Sequence, residues 1–160
     1  MAKLTFFRIL ALSGTLLLSL NAHAQLLDKK TLSLDAANKI VAGAIAEAKS
    51  NNWSVDIAIV DEGGHLLSFQ RMDGASIGAI DTAIGKARTA SLFRRPTKVL
   101  EEAAKTRPAI LTLPNGVLLQ GGVPIIVNGQ IVGAVGVGGV TSQQDEQIAE
   151  AGLRHAGFSQ

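Results

Sequence analysis

WSVDIAIVDEGGHLLSFQRM, Trp53–Met72, decides the fold of this chain. Val55, Ile57 and Ile59 alternate with Asp56 and Ala58, the period of a strand with one face in the core. Asp61-Glu62-Gly63-Gly64 is a tight turn, and His65–Met72 returns as the partner strand. Two strands joined by so short a turn must run antiparallel. A second hairpin follows downstream. Val123–Val127 and Gln130–Val137 flank Asn128-Gly129, two residues that tolerate the positive φ such a turn demands. Val117–Leu119 reads as one more short strand.

Helical patterns surround the hairpins. Ala37, Ile40, Val41, Ala44, Ile45 and Ala48 recur at helical spacing, so a first helix runs to about Lys49, capped by Ser33 or Thr31. A second, rich in alanine, is expected from about Ile77 to Phe93. Ser76 is its cap, and Ile77, Ile80, Ile84, Ala87 and Ala90 form its buried side. Pro96 stops that run, and Thr97 caps a short helix from Lys98 to Lys105. A last helix starts at Thr141 or Ser142, with Asp145 and Glu146 in its first turn, where the helix dipole favours acids. The order is α-β-β-α-α-β-β-β-α, which makes the chain α+β and excludes a doubly wound parallel sheet.

The ends and the composition narrow the function classes. Lys3 and Arg8 precede an apolar run, Ile9–Leu20, and Ala22-His23-Ala24 has the small-x-small form of a signal-peptidase site. Residues 1–24 are therefore expected to be a signal peptide cut after Ala24, leaving residues 25–160 as one domain. The apolar run is shorter than the roughly 20 residues of a spanning helix. The expected product is exported, with the periplasm as its compartment and no membrane attachment after cleavage. The whole chain has 15 basic and 13 acidic residues, and the first 24 hold two of the basic ones. The remainder is balanced, so no electrostatic case exists for nucleic acid or an anionic membrane. Cysteine and tyrosine are absent, which removes disulfides, thiolate chemistry and phenolate ligands. Past the signal only His65 and His155 remain as imidazoles.

Five ordered motifs carry a resemblance: Val60–Ala75 (VDEGGHLLSFQRMDGA), Gly85–Phe93 (GKARTASLF), Arg95–Leu100 (RPTKVL), Gly121–Ile125 (GGVPI) and Gly133–Gly152 (GAVGVGGVTSQQDEQIAEAG). From about Leu32 to Gly157 the chain resembles the GlcG/HbpS family, the haem-binding or haem-degrading domain also appended to some corrinoid adenosyltransferases. That resemblance implies a five-stranded antiparallel sheet of the PAS/profilin type, haem as cofactor and a homo-oligomer. The chain departs from the family at Gly136-Val137-Gly138-Gly139, where relatives usually read Gly-Val-Ser-Gly. Any ligand contact made by that serine is missing here.

Each candidate site residue has two readings. His65 is an axial haem or metal ligand, or a polar residue beside a turn. His155 is a second metal candidate, or a cation at a helix C-terminus. Met72 is a thioether ligand or core filler. Arg71 forks onto a carboxylate such as a haem propionate, or pairs with Asp73. Lys86 snorkels to solvent or faces a pocket and meets an anion, with Arg88, Arg94 and Arg95 extending the basic cluster. Thr97 is a cap or lies near iron. Asp145, Glu146 and Glu150 are explained by their place at a helix start. The glycine runs match neither phosphate-loop pattern and read as close backbone packing. Under the resemblance, His65 is the first iron-ligand candidate, Arg71 and Lys86 meet the propionates, and Thr97 lies near the site. Two other readings stay open: an enzyme that degrades haem or acts on a small acid, with no residue singled out as catalytic, and a cofactor-free structural oligomer.

Overall fold

A computed structural model of the chain describes residues 27–158. The expected signal segment, residues 1–24, lies outside them. The elements run α1 (Leu34–Ser50), β1 (Asp56–Asp61), β2 (Leu66–Arg71), α2 (Ala79–Leu92), α3 (Thr97–Thr106), a 3-10 turn (Pro108–Thr112), β3 (Gly122–Val127), β4 (Gln130–Gly138) and α4 (Ser142–His155). The four strands form one antiparallel sheet in the order β2-β1-β4-β3. The class is α+β, as the hairpins require. Among the described residues no helix is long and apolar enough to cross a membrane.

Both hairpins form where the turn chemistry puts them. Asp61 Oδ1 accepts the backbone N–H groups of Gly63 and His65, each at 2.8 Å, which closes the β1–β2 turn. Asn128 and Gly129 both take positive φ, 51° and 75°, in the β3–β4 turn. Ser33 caps α1, and Thr141 with Gln144 makes a reciprocal capping box at α4.

The sheet has four strands among the described residues, not the five implied by the PAS/profilin resemblance. Val117–Leu119 is not a strand because its surroundings bond to side chains instead of a neighbouring strand. The Val117 N–H donates to Thr89 Oγ1 at 2.9 Å on α2, and the Gln120 N–H donates to Glu101 Oε2 at 2.6 Å on α3. The connection is stitched to two helices, and its ladder positions are used up there.

The two faces of the sheet are filled differently. Ile57, Ile59, Val123, Ile125, Val135 and Val137 meet α1 and α4 in the main core. On the other face, Ala58, Val60 and Ala134 meet Ala83, Ala87 and Ala90 of α2. Here the buried side expected for α2 is corrected in part: Ala87 and Ala90 are fully buried as expected and Ile84 packs against them, but Ile77 is 74% exposed and lies before the helix, and Ala83 takes a central place. The reason is backbone proximity. A Cβ built on Gly136 would lie 2.2 Å from the Ala83 carbonyl oxygen and 2.4 Å from the Ala87 nitrogen. In the strand register Gly136 stands between Ala58 and Gly122, so a row of small residues lets α2 sit directly on the sheet.

Gly136→Ala is therefore expected to destabilise by about 1–3 kcal/mol through overpacking. Gly78→Ala, at a helical φ of −69° in open space, is expected to change stability by less than about 0.5 kcal/mol. Urea unfolding of the two variants checks the contrast.

Candidate functional site

Lys86 lies on the buried side of α2, 2% exposed. A lysine there cannot snorkel, so its ammonium must find acceptors inside. It donates to Asp145 Oδ2 at 2.7 Å and to the Val137 backbone carbonyl at 2.9 Å. Asp145 lies in the first turn of α4 and is equally buried. Its other oxygen accepts the Val140 N–H at 3.3 Å. Burial pushes the Asp145 carboxyl above its ordinary range, and the hydrogen bond and charge of Lys86 offset that only in part. The pair joins α2 on one face of the sheet to α4 on the other, at the end of β4.

Thr97 is fully buried in the first turn of α3. It does not cap that helix, whose N-cap is Pro96 with no side-chain bond. Its hydroxyl instead accepts the Gly122 N–H at 2.8 Å and lies 3.4 Å from the Gly122 carbonyl. A Cβ on Gly122 would strike both the Lys86 carbonyl and the Thr97 methyl, so Lys86 and Thr97 converge on that one residue.

His65 and Arg71 are not part of this cluster. Both are exposed, at opposite ends of β2, about 20 Å apart at roughly 3.3 Å per residue. The His65 ring lies over Gly63 and has no hydrogen-bond partner among the described residues. Arg71 makes no ion pair with Asp73; it lines a groove of about 380 Å³ with Ile45, Lys49, Gln70, Met72 and Asp73. Met72 packs against the main core, which is the filler reading. His155 is exposed in the last turn of α4 and seats its Cβ against Gly43 of α1. It therefore belongs to the α1–α4 layer, whereas the turn carrying His65 packs against Arg88 and Leu92 of α2. No group of three or more His, Asp or Glu side chains gathers as a metal site among the described residues. A groove of about 660 Å³ along α3 holds none of the expected site residues.

Two residues of consequence escaped sequence reasoning. Asp145 is 59 positions from Lys86, and its place at a helix start explained it fully without a partner. Asp56 looked like the polar half of an alternating strand. It is in fact fully buried, and neither carboxylate oxygen has a hydrogen-bond partner. It faces the α2 side, between Arg71 on β2 and Gly138 on β4. Desolvation raises its pKa, and the charge of Arg71 works weakly against this. The one available signal was that its same-face neighbours, Ala58 and Val60, are apolar.

With this geometry the relatives can be weighed. The family model described as haem degrading protein HbpS-like matches residues 32–154. The chain belongs to the HbpS-like family. It is 50% identical over 110 residues to protein GlcG of Escherichia coli K12, covering 68% of this chain and 82% of that protein. Protein ORFY of Klebsiella pneumoniae superposes with a TM-score of 0.78 at 30% identity, over 85% of this chain and 97% of that one. A double mutant of HbpS from Streptomyces reticuli superposes with a TM-score of 0.78 at 33% identity, over 82% and 90%.

Two outcomes follow from the buried groups. Lys86→Met leaves Asp145 as an unpaired buried charge and is expected to cost about 3–5 kcal/mol, whereas Lys86→Met with Asp145→Leu is expected to cost less than the single change; chemical denaturation checks it. For Asp56, the folded protein holds its proton more tightly than the unfolded chain, whose value is near 3.8. Its contribution is thus fullest below that value and is lost as pH rises towards the folded pKa, with no further change above it. Asp56→Asn is expected to reduce that fall and to be more stable than the parent at neutral pH, measured by thermal unfolding across pH.

Proposed function

We propose that this protein is exported and binds haem as a homo-oligomer, carrying, sensing or buffering it in the periplasm. The observation that carries the haem reading is membership of a family described by haem, over nearly all of the described chain. The apolar stretch Ile9–Leu20 followed by Ala22-His23-Ala24 supports export.

Fitting haem to this subunit sorts the candidates. Lys86 and Thr97 are committed to Asp145, Val137 and Gly122, and they do not reach solvent. His65 and Arg71 do reach it, with an imidazole and a guanidinium free to take iron and a propionate. Because they stand at opposite ends of β2, a second subunit is the natural source of the remaining contacts. Haem there would supply redox-active iron, with His65 of one subunit as its ligand and Arg71 of another as a counter-charge to a propionate. The family description also favours a second reading, degradation of the bound haem.

Titrating the processed protein with haemin and following the Soret band tests both. A saturable shift that His65→Ala abolishes and His155→Ala leaves intact is the expected result. Loss of the shift only in His155→Ala moves the ligand to α4. No saturable shift sinks the haem reading. Bleaching of bound haem on adding a reductant selects degradation over carriage.

A further inference from the structure

A recess behind Lys86 lies apart from His65 and Arg71. A cavity of about 290 Å³ opens between the first turns of α2 and α4. Lys86 and Asp145 are in its wall, with the hydroxyl residues Ser76, Thr82 and Ser142 and the backbone of Gly138-Gly139. Its volume is at the lower edge of the roughly 300–1,000 Å³ of ligand pockets, suited to a few heavy atoms.

Its donors and acceptors are unequal. A lysine ammonium carries three N–H donors. Asp145 and the Val137 carbonyl take two, and no third acceptor is present among the described residues. At 2% exposure the third donor can be met only from the recess that the side chain lines, which is open to solvent at its mouth. Asp145 stands in the same wall, and each of its oxygens already accepts one bond, from Lys86 and from the Val140 N–H. The Ser76 and Ser142 hydroxyls have no partner among the described residues, and Thr82 makes only a long 3.4 Å contact to the Gly78 carbonyl. Asp56, the unpaired acid on this face, is one strand over and does not line the space. The recess thus presents hydroxyls beside a buried ion pair whose ammonium has one N–H unused. The first turn of α2, which has no side-chain cap, borders it, whereas the start of α4 is closed by the Thr141–Gln144 capping box.

We propose that this cavity binds a small oxyanion, a carboxylate or phosphate-type group, that accepts the third Lys86 N–H and the hydroxyls of Ser76, Thr82 and Ser142. The small volume excludes a macrocycle from the same space, so haem and the oxyanion would occupy different places on one subunit.

Calorimetric titration of the processed, haem-free protein with acetate and with inorganic phosphate, at constant ionic strength and against chloride, tests this. Lys86→Met would break the ion pair, so the diagnostic variant is Thr82→Val with Ser142→Ala, which leaves Lys86 and Asp145 in place. Saturable binding of one probe per chain, with a Kd below about 10 mM, weakened at least tenfold in that variant, is the expected result, and the tighter probe names the group. Absence of saturable heat with both probes overturns the proposal and leaves a water-filled cavity. Binding that chloride reproduces, or that the variant does not weaken, overturns it equally.

Discussion

A lysine ammonium withdrawn from water has to be met by acceptors on every side, and in this protein that demand decides how three elements meet. Lys86 starts on α2, passes the end of β4 at the Val137 carbonyl and ends on Asp145 in α4. A buried ion pair adds little net stability compared with an apolar replacement, because desolvation of both charges offsets their attraction. What it contributes is geometry. The pair can form only if the two helical layers hold one relative position at that edge of the sheet, and breaking it by half leaves a charge in the core. The neighbouring contacts share this logic: Thr97 clasps Gly122 from α3, and Glu146, next to Asp145, reaches Lys98 at 3.0 Å.

Close backbone approach is the second constraint. The α2 backbone at Ala79, Ala83 and Lys86 lies closely over Gly138, Gly136 and Gly122, and at Gly136 and Gly122 no side chain fits between. Polar groups at this contact have no room for water and must be satisfied by protein. Lys86 finds two protein acceptors, Asp145 and the Val137 carbonyl, and Asp56 finds no partner. Gly138 and Gly139 leave bare backbone along one wall of the cavity.

Much of the architecture was legible because local chemistry dictates it. Asn128-Gly129 and the Asp61–Gly64 turn close hairpins whatever surrounds them, and alternation in Val55–Ile59 follows from pleat geometry. The Ser33 and Thr141 caps are likewise local. Errors arose where a residue's role depends on a distant partner. Ile77 and Ile80 were expected inside because apolar side chains usually are, yet the glycine row admits only alanine-sized contacts. Val117–Leu119 looked like a strand by composition, and Thr89 and Glu101 captured its surroundings from other helices. Thr97 sits where a cap is common but turns its hydroxyl to Gly122.

For the candidate site the division is sharper. The sequence by itself determined the residue inventory: two imidazoles after the expected signal, no thiol or phenol, a lysine in an alanine-rich helix, and the ordered motifs of the HbpS-like family. Those are properties of composition and local order. Only the tertiary structure decided that Lys86 faces Asp145 across 59 positions, that His65 and Arg71 stand apart at the two ends of β2, and that Asp56 is buried without a partner. Burial and long-range pairing are set by which surfaces the folded chain brings together, and no spacing along the chain encodes the free energy of removing a charge from water.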